Sequence, residues 1–295
     1  MAILELAHSG AEIDRLTDLV SNRSVVALVG AGCSTESGIP DYRGPETASK
    51  VRRPILYQEF IRDPGARTRY WSRSMVGWPR MRVARPNAGH LALAQLEQLG
   101  PLRGVITQNV DGLHQEAGSR RVVELHGTLD RVRCLDCDGT ISRGDFQEEL
   151  RARNTEWLER HPLESGPGDA ESAPDGDAEL TPQAMESFVV PDCAGCGGVL
   201  TPDVMFIGEN VPRATVDQAW ELFGEGEVLL VIGSSLTVYS GRRFVYRAVQ
   251  EEIPIAIVNI GPTRADELAI LKVEGRSGEV LPRVVGELQK LGARS

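Results

Sequence analysis

A run of branched apolar residues leads directly into a glycine-rich polar loop, and this junction constrains the fold more than any other feature. Val25–Val29 is apolar throughout, and the loop Gly30–Gly44 that follows it reads GAGCSTESGIPDYRG. Such a run is typical of a buried strand in a parallel sheet. Glycines after a strand let backbone amides approach a pyrophosphate, and a helix start behind them adds a favourable dipole. The junction therefore predicts an α/β fold with a phosphate-binding loop.

The loop differs from the dinucleotide-binding fingerprint of dehydrogenases. That fingerprint has a third glycine where this loop has Thr35, and an acidic residue after a second strand, which this sequence lacks. An ordinary tight turn would explain Gly-Ala-Gly equally well. The tail formed by Asp41, Tyr42 and Arg43 is too charged for a buried turn, and it indicates a loop that folds over a ligand.

Apolar runs and helical patterns alternate along the rest of the chain. Strands are predicted at Arg103–Thr107, Arg121–Leu125, Val228–Ile232 and Ile255–Ile260, and helices at Asn87–Leu99, Arg242–Glu252 and Glu279–Leu291. This alternation predicts a mostly parallel, Rossmann-like sheet with helices on both faces. We expect that domain to comprise residues 1–45, 100–132 and 200–295. A smaller inserted lobe would contain a helical segment, 46–99, and a cysteine module, 133–199, with a flexible acidic loop at 164–180.

Four of the five cysteines form two Cys-x-x-Cys pairs, while Cys33 stands apart in the glycine-rich loop. Two such pairs supply four thiolates to a tetrahedral Zn²⁺, and a four-cysteine set leaves no open coordination position. A redox function is disfavoured because neither pair begins a helix in a thioredoxin-like unit. We therefore predict one structural zinc ion, and its ligands are Cys134, Cys137, Cys193 and Cys196.

Several predicted strands end in polar residues that would meet at one edge of the sheet. Side chains at the carboxyl ends of parallel strands face the crevice where open α/β sheets bind ligands. The segments concerned are Thr107–His114, Glu124–Gly127, Gly233–Leu236 and Asn259–Pro262. Each is ordinary by itself, since Asn-Val-Asp-Gly also suits a helix cap or a turn. His126 alone among the five histidines ends a strand before a glycine, and its usual pKa suits a general base at neutral pH.

Charge and terminal composition restrict the partners. A formal net charge of −10 argues against a nucleic-acid binder, which would usually carry a basic face. No apolar run approaches the roughly 20 residues of a membrane span. Met1–Gly10 resembles neither a signal peptide nor a transit peptide, and the preference for Arg over Lys suggests a GC-rich bacterial genome. We expect a monomeric, cytoplasmic bacterial protein that binds neither nucleic acid nor membrane.

Taken in chain order, these motifs resemble the sirtuin family from about Ser24 to Glu287. They are the Gly30–Gly44 loop, Thr-Gln-Asn-Val-Asp at 107–111, His-Gly at 126–127, the cysteine pairs and Gly-Ser-Ser-Leu at 233–236. The segments Arg69–Arg73, Val76–Pro79, Val238–Gly241 and Asn259–Arg264 are similar to the class II branch, which includes the fourth vertebrate sirtuin. The resemblance implies an enzyme that consumes NAD to remove acyl groups from protein lysines.

The resemblance also implies where NAD binds. The pyrophosphate would lie over the first glycines of the loop, Asp41 and Arg43 would close over it, and Asn109 and Asp111 would line the nicotinamide and ribose pocket. The full set of implied NAD-binding residues is Gly30, Ala31, Gly32, Cys33, Ser34, Thr35, Pro40, Asp41, Tyr42, Arg43, Gln108, Asn109, Val110, Asp111, His126, Gly233, Ser234, Ser235, Asn259, Ile260, Gly261 and Ser277.

The implied reaction has two stages, and its implied catalytic residues are His126, Asn109 and Asp111. The acyl oxygen attacks C1′ of the nicotinamide ribose and displaces nicotinamide. His126 then removes a proton from a ribose hydroxyl, which attacks the acyl carbon. The products are nicotinamide, O-acyl-ADP-ribose and free lysine. Because His126 must be neutral to act as a base, activity is expected to fall below about pH 6.

The acylated peptide of a sirtuin lies as an added strand, which binds through backbone hydrogen bonds with little sequence specificity. The implied substrate-binding residues are Tyr70, Arg73, Met205, Phe206, Gly208, Glu209 and Leu236. The spacing of Tyr70 and Arg73 resembles the pair that recognises acidic acyl groups in some sirtuins, although Arg73 also suits a helix surface. Cys33 stands where the family usually has a small or aliphatic residue, and it is either a packed apolar residue or an oxidation-sensitive thiol.

Two other functions remain open at this point. A mono-ADP-ribosyltransferase would cleave NAD in the same way but transfer ADP-ribose to a protein. An inactive NAD- or ADP-ribose-binding module with a zinc-containing interaction domain belongs to a different class, and the presence of Asn109, Asp111 and His126 argues against it.

Overall fold

The computed structural model describes residues 10–42, 44, 47, 54–161, 180 and 185–292. Arg43 and nearly all of the predicted acidic loop at 164–180 lie outside these residues. The described strands are β1 (Val25–Val29), β2 (Leu102–Thr107), β3 (Val122–Glu124), β4 (Gly127–Cys134), β5 (Thr140–Ser142), β6 (Leu200–Val204), β7 (Val228–Ile232), β8 (Ile255–Asn259) and β9 (Leu271–Glu274).

The described helices connect these strands and cover the sheets. They are α1 (Gly10–Ser21), α2 (Tyr57–Arg62), α3 (Pro64–Val83), α4 (Ala88–Leu99), α5 (Leu113–Glu116), α6 (Arg143–Arg153), α7 (Thr155–Arg160), α8 (Arg213–Phe223), α9 (Tyr239–Gln250) and α10 (Ser277–Gly292). No helix in the described parts of the chain is long and apolar enough to cross a bilayer.

The large domain is a six-stranded parallel sheet in the order β3-β2-β1-β7-β8-β9. Successive residues of β1 face opposite sides, so Ala27 packs with α1, α4 and α10, whereas Val26 and Leu28 pack with α8 and α9. Because both faces are covered, every residue of β1, β7 and β8 is buried. The predicted Rossmann-like sheet is confirmed, and β9 is a strand that the sequence patterns missed.

The chain leaves β1 toward β2 on one side, while β7 lies beside β1 on the other. This reversal of strand order creates a crevice at the carboxyl ends of β1 and β7, the place where open α/β sheets bind ligands. The segments after β1, β2, β7 and β8 all reach that edge. The fold therefore brings together most of the polar strand ends that were predicted to meet.

The small lobe contains the antiparallel sheet β5-β4-β6 and the helices α2, α3, α6 and α7. Its separate apolar core includes Phe60, Trp71, Met75, Phe146 and Trp157. Since β4 begins at Gly127 and pairs with β6, this lobe extends over about 127–204, beyond the expected 133–199.

The segment 46–99 was expected to belong to the small lobe, but its last helix, α4, packs in the large domain. Helix α4 packs against α10, and its buried residues Leu93 and Leu96 belong to the core of the large sheet. Asn87 caps this helix by accepting hydrogen bonds from the amides of Gly89 and His90 at 2.8 and 3.3 Å. Apolar residues at helical spacing predict a buried face, but they do not say which of two cores buries it.

Candidate active site

The glycine-rich loop forms two short 3₁₀ turns, Ala31–Cys33 and Thr35–Ser37, where a helix start was expected. The amides of Gly30 and Gly32 donate to the carbonyls of Ile232 and Gly233, at 2.9 and 2.8 Å. A Cβ atom on Gly30 would lie 2.8 Å from the Gly233 oxygen. These two glycines are therefore required for the close approach of the loops after β1 and β7, and their amides are already bonded.

A buried polar network joins this loop to the segment after β2. The Ser34 hydroxyl donates to the Asp111 carboxylate at 2.7 Å and accepts from the Asn109 amide group at 3.1 Å. Asn109 also donates to the Gly30 carbonyl at 3.2 Å. Ser34 is 1 % exposed and Asn109 is 8 % exposed. Three predicted residues are thus held in fixed orientations at the crevice.

Two buried histidines, His90 and His114, pack beside this network. The backbone amide of Asn87 donates to Nδ1 of His90 at 3.3 Å, so Nε2 of His90 carries the proton and faces the Ser34 hydroxyl at 3.4 Å. His114 lies beside His90, with ring centroids 4.8 Å apart. Burial, followed by the neighbouring His90, lowers the pKa of His114 to about 3. Both rings are therefore neutral packing groups.

His126 lies at the junction between the large sheet and the small lobe. It follows β3, and the next residue, Gly127, has φ +77 and would bring a Cβ to 2.0 Å from the Asp203 oxygen, so only glycine fits there. Nδ1 of His126 lies 2.9 Å from the Gln108 carbonyl, and Nε2 lies 2.7 Å from the Ser240 hydroxyl. Since a carbonyl only accepts, the proton is on Nδ1 and Nε2 carries the lone pair.

The electrostatic surroundings keep this histidine uncharged. Burial lowers the pKa of His126 below its ordinary value, and the positive charge of Arg243 adds to the lowering. The hydrogen bond to the Gln108 carbonyl acts in the opposite direction. A neutral imidazole with its lone pair on Nε2 is the form that a general base requires.

The loop after β7 is joined to the segment after β2 by side chains. The Gln108 amide group donates to the Ser234 hydroxyl at 3.0 Å, and the Leu236 amide donates to the same hydroxyl at 3.3 Å. Ser235 and Thr237 have their hydroxyl oxygens 3.1 Å apart. Gly233 has φ +58 where it contacts the first loop. The predicted residues of this loop therefore reach the crevice, while Leu236 is buried beneath it.

The loop after β8 mostly stabilises itself. The Asn259 amide group donates to the carbonyls of Ile260 and Gly261 at 2.8 and 3.1 Å, and Gly261 has φ +77. The amide of Gly261 donates to the Glu274 carboxylate. Asn259 is only 7 % exposed, so its amide nitrogen supports the turn and does not face an open cleft.

Two of the predicted NAD-binding residues, Cys33 and Ser277, have buried side chains. Ser277 is 4 % exposed and donates to the Cys33 sulfur at 3.6 Å, beneath the glycine-rich loop. Cys33 is fully buried in the core of the large sheet, and burial raises the pKa of its thiol to about 12. The 3₁₀ turn Ala31–Cys33 directs this side chain into the core. Cys33 is the packed apolar residue of the two alternatives.

The tail of the loop is held by local contacts. The Asp41 carboxylate accepts from the Gly44 amide at 2.7 Å and from the Thr47 hydroxyl. Tyr42 is 50 % exposed, and Pro40, Ala31 and Thr35 are half-buried. Asp41 thus caps its own turn, and its carboxylate is not free to contact a pyrophosphate in this conformation.

Four of the predicted acyl-binding residues, Met205, Phe206, Gly208 and Glu209, follow β6. The Met205 amide donates to the His126 carbonyl at 2.8 Å, which fixes the segment 205–209 beside the histidine. Glu209 accepts from the Phe206 amide at 3.0 Å and forms an ion pair with Arg133 at 3.2 Å. Gly208 is exposed, with φ +87. A peptide strand can therefore reach this backbone, while the Glu209 side chain is already engaged.

Tyr70 is only 4 % exposed, and its ring packs against Phe60, Trp71 and Phe206, with centroids 5.0 to 5.6 Å away. Arg73, one turn later on α3, is half-buried. A buried guanidinium that interacts electrostatically with Tyr70 belongs to Arg143, whose pKa burial lowers to about 10. The sequence spacing that joined Tyr70 to Arg73 did not reveal this second cation.

The four paired cysteines converge at one end of the small sheet. Their sulfur atoms all lie within 4.8 Å of one another, with Cys134 to Cys196 at 3.5 Å and Cys137 to Cys193 at 3.9 Å. A tetrahedral zinc site with Zn–S bonds of about 2.3 Å places its sulfurs about 3.8 Å apart. The set fits a structural zinc ion, as predicted, and all four ligands are protein atoms.

Comparison with known proteins identifies the family. A family model described as Sir2 family matches residues 30–240. The NAD-dependent protein deacetylase 2 of Bradyrhizobium diazoefficiens is 50 % identical over 88 % of this chain and 93 % of its own length. The NAD-dependent protein lipoamidase sirtuin-4, mitochondrial, of Bos taurus is 47 % identical over 92 % of this chain and 84 % of its own length.

Solved structures agree with this assignment. A Sir2 structure with a p53 peptide and NAD⁺ has a TM-score of 0.73 and 31 % identity, and the match covers 96 % of this chain and 99 % of that chain. Another Sir2 enzyme structure has a TM-score of 0.74 and 34 % identity, over 95 % and 99 % of the two chains. The chain therefore belongs to the Sir2 family, and the prediction of an NAD-dependent deacylase is confirmed.

Two residues at the site were missed by sequence reasoning. Ser240 and Arg243 both act on His126, one by a hydrogen bond and the other by its charge. Val238–Gly241 was noticed only as part of a family resemblance, and nothing in its spacing connects it to a histidine 114 residues earlier. Only the tertiary structure places the first two turns of α9 beside His126.

Proposed function

We propose that this enzyme removes acyl groups from protein lysines, with His126 as the general base for the ribose hydroxyl. The observation that supports this role is the hydrogen bond from Nδ1 of His126 to the Gln108 carbonyl, which leaves the lone pair on Nε2. The lowered pKa of His126 keeps this atom unprotonated at neutral pH. The imidazole stands beside the backbone of Met205–Glu209, where the peptide strand would bind.

The other polar groups of the crevice would orient NAD. Asn109 and Asp111 would line the nicotinamide and ribose pocket, and their shared contact with Ser34 means that they cannot rotate independently. Gln108 is held by Ser234, and Ser235 would contact the adenosine half. Asp41 would have to give up its contacts with Gly44 and Thr47 to close over the pyrophosphate. When bound, NAD supplies a ribose C1′ with a good leaving group.

The experiment that tests this proposal follows NAD and an acetyl-lysine peptide by mass spectrometry. We expect nicotinamide and O-acyl-ADP-ribose from the wild type, and a loss of about 10² to 10⁴-fold in O-acyl-ADP-ribose from His126→Ala. ADP-ribosylated protein without O-acyl-ADP-ribose would instead support a mono-ADP-ribosyltransferase. NAD binding without any turnover would support an inactive binding module.

We also propose that the acyl pocket takes acidic or branched acyl groups. Tyr70 contacts Phe206, and a second cation, Arg143, lies near Tyr70, so a distal carboxylate would find a positive environment behind Phe206. Turnover of acetyl-, succinyl-, methylglutaryl- and lipoyl-lysine peptides should shift away from acidic groups in Arg73→Met. Arg82→Met, an exposed arginine near the end of the same helix, is the control. Unchanged selectivity in Arg73→Met would contradict the proposal.

The remaining expectations concern partners and location. We propose a monomer that works in the cytoplasm of a bacterium and binds acyl-lysine peptides as an added strand. The net charge of −10 favours basic, lysine-bearing protein substrates over nucleic acid. Sedimentation of the purified protein tests the monomer, and a change of sedimentation coefficient with concentration would contradict it.

A further inference from the structure

Ser240 contacts the proposed base although neither the family motifs nor the cysteine and glycine patterns assign it a role. Its hydroxyl oxygen lies 2.7 Å from Nε2 of His126. Ser240 is in the first turn of α9, and its carbonyl accepts a hydrogen bond from Arg243 at 3.1 Å. The next residue, Gly241, lies against Gln108, where a Cβ would come within 2.8 Å of that side chain. The start of α9 is therefore fixed beside the histidine.

The direction of this hydrogen bond follows from the other side of the ring. The Gln108 carbonyl holds the proton of His126 on Nδ1. Nε2 therefore accepts, and the Ser240 hydroxyl donates. The one basic atom of the imidazole is already occupied by a hydroxyl hydrogen, so a ribose hydroxyl could reach Nε2 directly only by displacing Ser240.

We propose that Ser240 is a proton relay between the ribose hydroxyl and His126, an inference that rests on the proposed role of His126 as the base. The ribose O–H bond breaks and its proton forms a new bond to Oγ of Ser240. At the same time the original Ser240 proton moves to Nε2, so the serine stays neutral and His126 becomes an imidazolium. The ribose oxygen keeps its electron pair and attacks the acyl carbon.

A hydroxyl is suited to this position because it donates and accepts with the same oxygen. It donates to the neutral imidazole before the transfer and accepts from the Nε2 proton afterwards. Arg243 opposes the charge that forms on His126, and the Ser240 oxygen then gives the imidazolium a hydrogen-bond partner. An alanine at position 240 could neither donate a hydrogen bond to the neutral imidazole nor accept one from the imidazolium.

The test of the relay measures two steps separately: displacement of nicotinamide, which needs no base, and attack by the ribose hydroxyl, which needs His126. Exchange of labelled nicotinamide into NAD reports displacement of nicotinamide, whereas O-acyl-ADP-ribose reports attack by the ribose hydroxyl. For Ser240→Ala we expect O-acyl-ADP-ribose formation to fall by about 10- to 100-fold, with exchange within about twofold of the wild type. Ser240→Thr, which keeps the hydroxyl, should restore product formation. Tyr246→Phe, which removes an exposed hydroxyl from the same helix, should leave both rates unchanged.

A second measurement needs no NAD. Nitrogen NMR of the ligand-free wild type should show His126 with a protonated Nδ1 and with Nε2 accepting a hydrogen bond. In Ser240→Ala the Nε2 resonance should move toward that of an unbonded imidazole nitrogen, while the proton stays on Nδ1 because Gln108 still holds it. An unchanged Nε2 resonance would show that the serine does not donate to it in solution.

The relay would be overturned if Ser240→Ala formed O-acyl-ADP-ribose at nearly the wild-type rate. It would also be overturned if exchange and product formation fell together, or if Ser240→Thr lost as much as Ser240→Ala, because those results describe a packing role. An incorrect assignment of His126 as the base would give a different result, because His126→Ala would then still form O-acyl-ADP-ribose.

Discussion

The cysteine cluster and the crevice around His126 are built in opposite ways. The cluster takes its four ligands from two pairs, each within four residues of chain, at the end of a small sheet. The crevice takes its groups from separate strand ends, and those groups form hydrogen bonds with one another. Short local spacings thus determine the first site, whereas the order of strands in the large sheet determines the second.

This difference has an energetic consequence. Without a metal, four sulfurs within 4.8 Å have little to hold them together, so the order of the cluster should depend on zinc. The crevice is supported by strands that are buried on both faces. Its geometry should therefore survive the loss of zinc, and the two sites should fail under different treatments.

Breaking the zinc site should give the largest effect. Cys134→Ser removes one thiolate from a buried position of β4, and binding of zinc to small modules is worth on the order of 10 kcal/mol. We expect zinc content to fall below one ion per chain, the small lobe to unfold at a lower temperature, and deacylation to be lost. Metal analysis and thermal unfolding measure this. Cys33→Ala should keep its zinc, and a full zinc content in Cys134→Ser would refute the assignment.

Breaking the polar network in the crevice should have an intermediate effect. Ser34→Ala leaves the Asp111 carboxylate and the Asn109 amide group short of a partner, and such a loss costs about 1 to 3 kcal/mol in a buried site. Chemical unfolding should show this decrease in the free energy of unfolding with zinc content unchanged. Ser21→Ala, at the carboxyl end of α1 and outside the network, should change stability by less than about 0.5 kcal/mol. Zinc loss from Ser34→Ala would show that the two sites are coupled.

Removing the charge of Arg243 should have a smaller effect than the two changes above, a shift in the pH dependence of deacylation. The folded-state pKa of His126 is lowered, so the base stays neutral as pH falls below its usual value of about 6.5, and activity is lost only when the pH passes through the lowered pKa. Arg243→Gln removes a charge that contributes to this lowering, and the acidic limb of the rate profile should move to higher pH. Arg247→Gln, one turn further along α9, is the matched control. A profile that does not move in Arg243→Gln would rule out this electrostatic effect.

The smallest effect is expected for the reaction of Cys33 with a thiol reagent. This labelling experiment compares Cys33 directly with the four paired cysteines. Cys33 is fully buried with a pKa raised to about 12, so it should not react in the native protein, with or without zinc. Chelation should expose the four paired cysteines to the reagent and leave Cys33 protected. Rapid labelling of Cys33 in the native state would mean that the glycine-rich loop opens.

Pattern reasoning found most of the sheet and both sites, and its errors share one cause. Strands such as Val228–Ile232 and the cysteine pairs were found because apolar runs and ligand spacings are local properties of the chain. The allocation of α4 to the small lobe was wrong because it depends on which distant surface covers the helix. The burial of Cys33 and Ser277 could not be decided from the sequence for the same reason. The pairing of Tyr70 with Arg73 by helical spacing likewise missed Arg143, which belongs to another helix.

The sequence by itself determined five of the six strands of the parallel sheet, the four cysteines of the zinc site, the family and the identity of His126 as the histidine that follows a strand. Only the tertiary structure decided the state of that histidine. Its tautomer depends on Gln108, its lone pair faces Ser240, and its pKa responds to Arg243. The reason is physical: a hydrogen bond or a charge acts across a few ångströms, and the distances between these residues are set by how strands and helices pack.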